Sequence, residues 1–189
     1  MDQLLLYINR LTGPIPASLS HLTNASKIDL RVNRLTGSIP ASFGFFNNPN
    51  MFLFLAGNQL SGPVPSSLGQ AKVNLLYLGS NRLTGDASVL FGRNKTWLQN
   101  LDISDNRFKF DFSNVEFPLG LRNLFIENNE IYGSLPKQLG QLPLELRGLD
   151  VSNNHLCGTI PTGRRLKLIS PNAFANNTCL CGIPLPPCE

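Results

Sequence analysis

Apolar residues recur along the chain in a fixed arrangement. Short alternating segments lead to an asparagine, and a glycine- and proline-containing turn follows. Seven segments follow the pattern L-x-x-L-x-L-x-x-N-x-L-x-G-x-I-P, with central asparagines 23 to 25 residues apart. These asparagines are Asn9, Asn33, Asn58, Asn81, Asn106, Asn129 and Asn154. A repeat of this length predicts a solenoid in which each copy forms one coil.

The L-x-L portion of each copy has the period of a strand with one buried side. The apolar pairs are Leu4 and Leu6, Ile28 and Leu30, Leu53 and Leu55, Leu76 and Leu78, Leu101 and Ile103, Leu124 and Ile126, and Leu149 and Val151. We expect these pairs to point inward and the strands of successive coils to form a parallel sheet on the concave face. The fold class predicted is an α/β solenoid of leucine-rich repeats with about seven coils.

The asparagines are expected to be structural. Each lies where a strand ends and the backbone turns between coils, and a buried amide can satisfy backbone groups that the sheet leaves unpaired. The G-x-I-P portion combines glycine, which permits unusual dihedral angles, with proline, which fixes φ. Short helical or 3₁₀ turns are expected near residues 17–19, 66–68 and 137–139. Copy five departs from the pattern over Phe108–Phe112, where strict alternation still suits a strand with one buried side.

Composition narrows the classes of protein. Hydrophobic residues make up 42% of 189 residues, which is enough to form a hydrophobic core. Lys and Arg exceed Asp and Glu by four, an excess too small to indicate nucleic-acid binding. The sequence has no apolar run long enough to span a membrane. No cofactor is expected.

All four cysteines lie in the last 33 residues. An open solenoid end needs a cap, so residues 1–156 are predicted to form the solenoid and residues 157–189 the last-coil tail and cap. The spacing favours disulfides Cys157–Cys179 and Cys181–Cys188. A zinc site is the alternative, although Cys-x-Cys without a Cys-x-x-Cys pair is poor zinc spacing.

Disulfides indicate an oxidising compartment. Three N-x-S/T sequons, at Asn24, Asn94 and Asn176, agree with secretion as glycosylation sites. The first residues do not resemble a signal peptide. We therefore expect the chain to be the C-terminal part of a longer secreted protein, or else a truncated gene product.

Two segments resemble one family. F-x-F-x-F-S-x-V-x-F-P over Phe108–Pro118 and C-L-C-G-x-P-L-P-x-C over Cys179–Cys188 are similar to the plant polygalacturonase-inhibiting proteins. The chain matches the later repeats and C-terminal cap of that family. The resemblance implies a cell-wall protein in the apoplast that blocks fungal pectin-degrading enzymes with its concave face. It also implies contact with pectin and no catalytic activity.

The outward strand residues are the candidate partner-binding residues. They are Tyr7, Lys27, Asp29, Arg31, Phe52, Phe54, Leu75, Tyr77, Asn100, Asp102, Ser104, Phe125, Glu127 and Asp150. Contiguous exposed aromatic residues usually mark a contact site. The alternative is that these residues form a solvated sheet face without a binding role. A second row follows the asparagines and is the candidate site for a polyanion such as pectin: Arg10, Arg34, Arg82 and Arg107. Gln59 and Glu130 interrupt this row, so the alternative is that the arginines form a solvated edge without a binding role.

Three alternatives remain. An enzyme would use Asp102 and Asp150 as a carboxylate pair, but an open sheet offers no pocket to shift a pKa. A receptor ectodomain shares the repeat and would need a membrane helix downstream. Ice binding also occurs on this scaffold and would use Thr12, Thr36, Ser61 and Thr84 as a regular rank of hydroxyl groups.

Overall fold

A computed structural model describes residues 2–22, 24–141 and 146–188. Each coil begins with one strand of a seven-stranded parallel sheet, with strand order β1-β3-β5-β7-β9-β11-β13. These strands are β1 Gln3–Leu5, β3 Lys27–Asp29, β5 Phe52–Phe54, β7 Leu75–Tyr77, β9 Asn100–Asp102, β11 Asn123–Phe125 and β13 Gly148–Asp150. The seven coils predicted from the asparagines are confirmed.

Equivalent residues of successive coils are direct partners in this sheet. Leu4 pairs with Ile28, and Leu124 pairs with both Leu101 and Leu149. The predicted inward residues of coils two to seven are all buried. Coil one differs, since Leu6 is exposed and Leu4 is only partly buried, because no coil of the structure covers that side. The solvent side of this sheet is called the concave face below.

A second set of short strands lies on the flank of the solenoid. They are β2 Thr12–Pro14, β4 Arg34–Thr36, β6 Ser61–Pro63, β8 Arg82–Gly85, β10 Arg107–Phe108, β12 Tyr132–Gly133, β14 His155–Thr159 and β15 Cys179–Cys181. In the pairings between β2 and β14, partners are shifted by two residues from the repeat, so Thr12 pairs with Arg34 and Ser61 with Arg82. Side chains at equivalent positions therefore run obliquely across the flank.

Opposite the concave sheet, most coils contain a 3₁₀ turn. These are η1 Ala17–His21, η2 Ala41–Phe45, η3 Ser66–Gln70, η4 Ser88–Leu90 and η5 Lys137–Gln141, followed by η6 Leu166–Leu168 and η7 Pro171–Phe174 near the C-terminus. The three turns expected from the sequence are confirmed. Coil five instead buries Phe108, Phe110 and Phe112. The Phe112 ring packs with Phe91 and Phe117, and the Phe110 ring packs with Phe91.

The asparagines form the expected ladder. Asn129 donates its side-chain amide to the carbonyl oxygens of Ile103 in the preceding coil and Ile126 in its own coil. Its Oδ1 accepts a hydrogen bond from the backbone N–H of Phe108, 2.9 Å away. The same contacts recur from Asn33 to Asn154. Each amide thus joins two coils through otherwise unpaired backbone groups.

The residue before each ladder asparagine has a left-handed backbone. Later coils place Ser80, Asp105, Asn128 and Asn153 there, and coil three uses Gly57. Coils one and two place β-branched Ile8 and Val32 at φ 52° and 53°. Because β-branched residues are strained in this region, the first two coils contain local backbone strain that the later coils avoid.

The cap contains the two predicted disulfides. Cys157 bonds to Cys179 and Cys181 to Cys188, and the structure has no free cysteine among its described residues. The first bond joins neighbouring flank strands, because Cys157 and Cys179 are partners in the β14–β15 pairing. The cap also covers the last coil, where the backbone N–H of Val151 donates to the carbonyl oxygen of Ala173.

Candidate functional site

The concave face consists of three rows of outward residues. The first passes through Lys27, Phe52, Leu75 and Asn100, and the second through Asp29, Phe54, Tyr77, Asp102, Phe125 and Asp150. The third contains Tyr7, Arg31, Ser104 and Glu127, one pleat further along each strand. Because the strands are in register, the sheet brings all fourteen predicted partner-binding residues to one face.

The coil-two end of this face is basic and aromatic. Arg31 donates from Nε and Nη2 to the two carboxylate oxygens of Asp29, at 2.9 and 2.8 Å. The guanidinium lies 4.5 Å from the centre of the Phe54 ring, and the Lys27 ammonium lies 5.1 Å from the same ring. The Phe54 and Tyr77 rings stack with centroids 4.8 Å apart. Arg31 and Lys27 thus lie over an aromatic base.

The structure corrects the expected exposure of three of these residues. Phe54 is only 6% exposed and Asp29 is fully buried, because the cationic side chains cover both. Ser104 is likewise buried, with its hydroxyl donating to Asp102 at 2.6 Å. These three residues support the face, whereas the other residues of its three rows, among them Arg31, Tyr7 and Tyr77, remain at least partly exposed.

The ion pair explains how Asp29 remains charged while buried. Burial by itself would raise the pKa of this carboxyl group, but the hydrogen bonds from Arg31 and the nearby Lys27 lower it below its ordinary value. Lys27 adds a weaker contact, with its ammonium 3.4 Å from the carboxylate. The position of Arg31 is therefore fixed by a permanent negative charge beneath it.

The opposite half of the face is acidic. Burial raises the pKa of Glu127 to about 7, and the neighbouring carboxylates of Asp150, Asp102 and Asp105 reinforce that shift. The Oε2 atom of Glu127 is buried and has no hydrogen-bond partner among the described residues. None of these four carboxylates forms an ion pair within the described part of the chain. Among the described residues, no ion pair therefore offsets the acidic side chains of Asp102, Asp105 and Asp150, whereas Glu127 is partly protonated near pH 7.

Polar side chains form a further ladder along the edge of this acidic half, which the sequence analysis missed. Asn128 donates to Asp105 at 2.7 Å, and Asn176 donates to Asn153 at 2.8 Å. The signal was the series of Gly, Ser, Asp and Asn residues that precede the ladder asparagines from coil three onward, since these residue types tolerate a left-handed backbone.

The flank arginines are exposed but do not form the straight row that was expected. Because of the two-residue shift, Arg34 lies across from Thr12, and Arg107 lies across from Thr84. Arginine and hydroxyl side chains therefore alternate between coils. The same shift corrects the expected rank of Thr12, Thr36, Ser61 and Thr84, which are not direct neighbours in the pairing.

The three sequon asparagines are exposed. Asn24 and Asn94 lie in the segments that precede β3 and β9. Asn176 lies at the edge of the concave face, where its amide already bonds to Asn153.

Two further properties of the described residues bear on function. They contain no group of three or more His, Cys, Asp or Glu side chains placed to hold a metal ion, and the two cystines account for all four cysteines. Over the same residues, no helix has the length and apolar character required to cross a bilayer.

Comparisons with known proteins agree with this architecture. A family model described as Leucine Rich Repeat matches residues 145–163. A polygalacturonase inhibitor of Pyrus communis is 51% identical over 112 residues, which are 59% of this chain and 33% of that protein. A polygalacturonase inhibitor of Vitis vinifera is 45% identical over 61% of this chain and 34% of its own length. The match spans about a third of the length of these curated relatives.

Solved structures extend the similarity to nearly the whole chain. A plant ice-binding protein is 44% identical with a TM-score of 0.93, over 97% of this chain and 58% of that one. A TDR receptor is 28% identical with a TM-score of 0.76, over 95% of this chain and 31% of that one. The chain is thus a leucine-rich repeat solenoid protein that resembles the plant polygalacturonase inhibitors.

Proposed function

We propose that this chain binds and inhibits fungal polygalacturonases through its concave face, as a secreted plant defence protein. The observation that favours this function is the combination of relatives named polygalacturonase inhibitors with an open, charged sheet face. Arg31 and Tyr77 at one end and the acidic residues Asp102 and Asp150 at the other offer opposite charges and aromatic surface on one face. Such surfaces suit protein contacts.

The direct test is inhibition of a panel of fungal polygalacturonases by the purified chain. Tyr77→Ala should raise the inhibition constant by about tenfold, as expected for an interfacial aromatic residue. Tyr132→Ala is the matched control, because Tyr132 is an exposed tyrosine on the flank. The proposal fails if no enzyme of the panel is inhibited. The placement of the interface fails if the two variants inhibit equally.

Pectin is the second partner proposed. The exposed guanidinium groups of Arg10, Arg34, Arg82 and Arg107 suit carboxylates of a polyanion. Binding should therefore weaken with added salt. Retention of the chain on de-esterified but not on fully esterified pectin would support the assignment, and equal retention on both would contradict it.

Ice binding is the alternative favoured by a specific observation, the similarity to a plant ice-binding protein over 97% of the chain. Thr12, Thr36 and Ser61 are exposed on the flank, although arginines alternate with them. An ice-recrystallisation assay on the same preparation decides between the functions. Activity that is lost in Thr36→Lys and kept in Tyr77→Ala would favour ice binding.

A receptor-like ectodomain is the remaining alternative, supported by the similarity to the TDR receptor. Secretion to the apoplast is proposed on the strength of the cystine cap, since such bonds persist in oxidising compartments. Mass spectrometry of material secreted by plant cells would test both secretion and glycan occupancy at Asn24, Asn94 and Asn176.

A further inference from the structure

The Arg31 side chain is partly exposed but is restrained by several contacts within the chain. Both oxygens of the buried Asp29 accept its hydrogen bonds, and the Phe54 ring lies 4.5 Å from its guanidinium. An exposed arginine normally loses side-chain entropy when it binds a partner. Arg31 has already lost that freedom within the folded chain, so it is pre-organised for contact.

Its hydrogen-bonding capacity is only partly used. A guanidinium has five N–H donors, and two of those of Arg31 bond to Asp29 within the described residues. The three others have no protein acceptor there, and the side chain remains 36% exposed. The remaining donors match a second carboxylate, since guanidinium and carboxylate groups pair through parallel hydrogen bonds.

The local charge also favours an anion. Lys27 and Arg31 contribute two positive charges against the single negative charge of Asp29. Both cations share that one carboxylate, so one positive charge is left over at the coil-two end of the face. An incoming carboxylate would neutralise it.

The outer side of Arg31 is accessible to such a group, since the side chain is 36% exposed. Along its row, Ala56 in the next coil has only a methyl side chain, while Tyr7 lies on the other side in coil one. One coil further on, the side chains of Asp102 and Ser104 fill the volume above Gly79 and limit the site. The Tyr77 ring bounds the site through its stack with Phe54. A side chain reaching the face between Tyr7 and Tyr77 would meet the unused donors of Arg31.

We propose that Arg31 and Lys27 form a binding site for an aspartate or glutamate side chain of a partner protein. The inference rests on the proposed function, because the partner it describes docks on the same concave face. It adds a direction to that docking. The partner's acidic group lies over coil two, and its basic surface lies over Asp102 and Asp150, because the two halves of the face have opposite charge.

The first test uses the free chain and needs no enzyme. The Nε–H resonances of its arginines are followed by NMR while N-acetyl-Gly-Glu-Gly-amide is added at low salt, and the Gln peptide serves as the uncharged control. We expect a saturable shift at Arg31 with the Glu peptide and binding at least about tenfold weaker with the Gln peptide. Arg93 should not shift, because it lies outside the face beside Glu116. Equal shifts at both arginines, or none at Arg31, would overturn the site.

The second test uses a fungal polygalacturonase that the chain inhibits. Removing Arg31 alone would leave Asp29 buried without its partner, so Asp29→Asn and Arg31→Gln are combined. The double variant should raise Kd at least tenfold, equivalent to about 1.4 kcal/mol. Lys27→Gln keeps the Asp29–Arg31 pair and should raise Kd by about threefold through charge alone. Arg93→Gln should leave Kd unchanged.

The two tests separate failure of the site from failure of the function. Unchanged Kd in the double variant, with inhibition intact, would reject the carboxylate site and leave the proposed function standing. If the wild-type chain inhibits no enzyme, the proposed function fails, and the peptide titration alone decides whether Arg31 binds carboxylates.

Discussion

Asn177 donates its side-chain amide to the carbonyl oxygen of Val151 at 3.0 Å. Asn154 makes the equivalent contact with Ile126 at 2.9 Å. The Oδ1 of Asn177 also accepts from the backbone N–H of Leu156. Asn177 is therefore an eighth member of the ladder, and it fastens the cap to the last coil by the device that joins the coils to one another.

We expect Asn177→Ala to destabilise the chain by about 2 kcal/mol, because it leaves several partly buried backbone groups without partners. Asn9→Ala is the matched control. Asn9 lies at the exposed end of the same ladder, and within the described part of the chain its amide donates only to Leu6 and Tyr7 of its own coil. Its loss should cost less than about 1 kcal/mol. Urea unfolding measures both, and equal losses would contradict a special role for Asn177.

The repeat made most of the fold predictable, because a fixed period places the same side chain in the same environment in each coil. The repeat pattern did not predict the role of Asn177, because the segment before it does not follow the L-x-L pattern. The signal was nevertheless present, since Asn177 follows Asn154 by one repeat length and Phe174 occupies the apolar position three residues earlier.

The concave face was less predictable than the fold. The alternation of apolar residues predicted which side chains point away from the core. It could not predict that Arg31 and Lys27 cover Phe54, because this is a contact between outward side chains of different coils. The two-residue shift between flank strands could not be predicted from the sequence either. The strand register depends on how far neighbouring coils are displaced along the strand direction. The sequence repeat gives the length of each coil but not that displacement.

Backbone strain at Val32 offers a stabilising substitution. Val32 is exposed at φ 53°, and later coils place Asn128 and Asn153 at the equivalent position. Val32→Asn should raise the free energy of unfolding by about 1 kcal/mol, because Asn tolerates the left-handed region better. The reverse change, Asn153→Val, should lower it by at least that amount. A lower denaturation midpoint for Val32→Asn would show that the strain is unimportant.

Glu127 should make stability depend on pH near neutrality. Its pKa is raised from 4.5 to about 7 in the folded chain, so the folded state binds the proton more tightly than the unfolded state. The resulting stabilisation is complete below pH 4.5 and is lost as the pH rises through 7. Glu127→Gln should therefore be about 1 to 2 kcal/mol more stable than wild type at pH 8, after solvent screening is allowed for.

Thermal unfolding between pH 4 and pH 8 would measure this effect. Glu130→Gln is the control, because Glu130 is exposed on the flank side of the ladder. A difference between wild type and Glu127→Gln that does not change with pH would contradict the proton linkage.

The two cystines should contribute unequally. Cys157–Cys179 spans 22 residues and Cys181–Cys188 spans seven. The chain-entropy model gives about 3 kcal/mol for the longer loop and about 2 kcal/mol for the shorter one. Paired Cys→Ser variants compared by urea unfolding test this order, and a larger loss from removing Cys181–Cys188 would reverse it.

The central claim is that a polygalacturonase docks on the concave face, and the three tyrosines of the chain test it directly. Tyr7 and Tyr77 lie on that face, while Tyr132 lies on the flank with an exposure of 43%, close to the 47% of Tyr7. Hydroxyl-radical footprinting of the chain with and without a fungal polygalacturonase measures the reactivity of each ring. Docking on the concave face predicts protection of Tyr7 and Tyr77 with Tyr132 unchanged. Protection of Tyr132 while Tyr7 and Tyr77 remain reactive would contradict it.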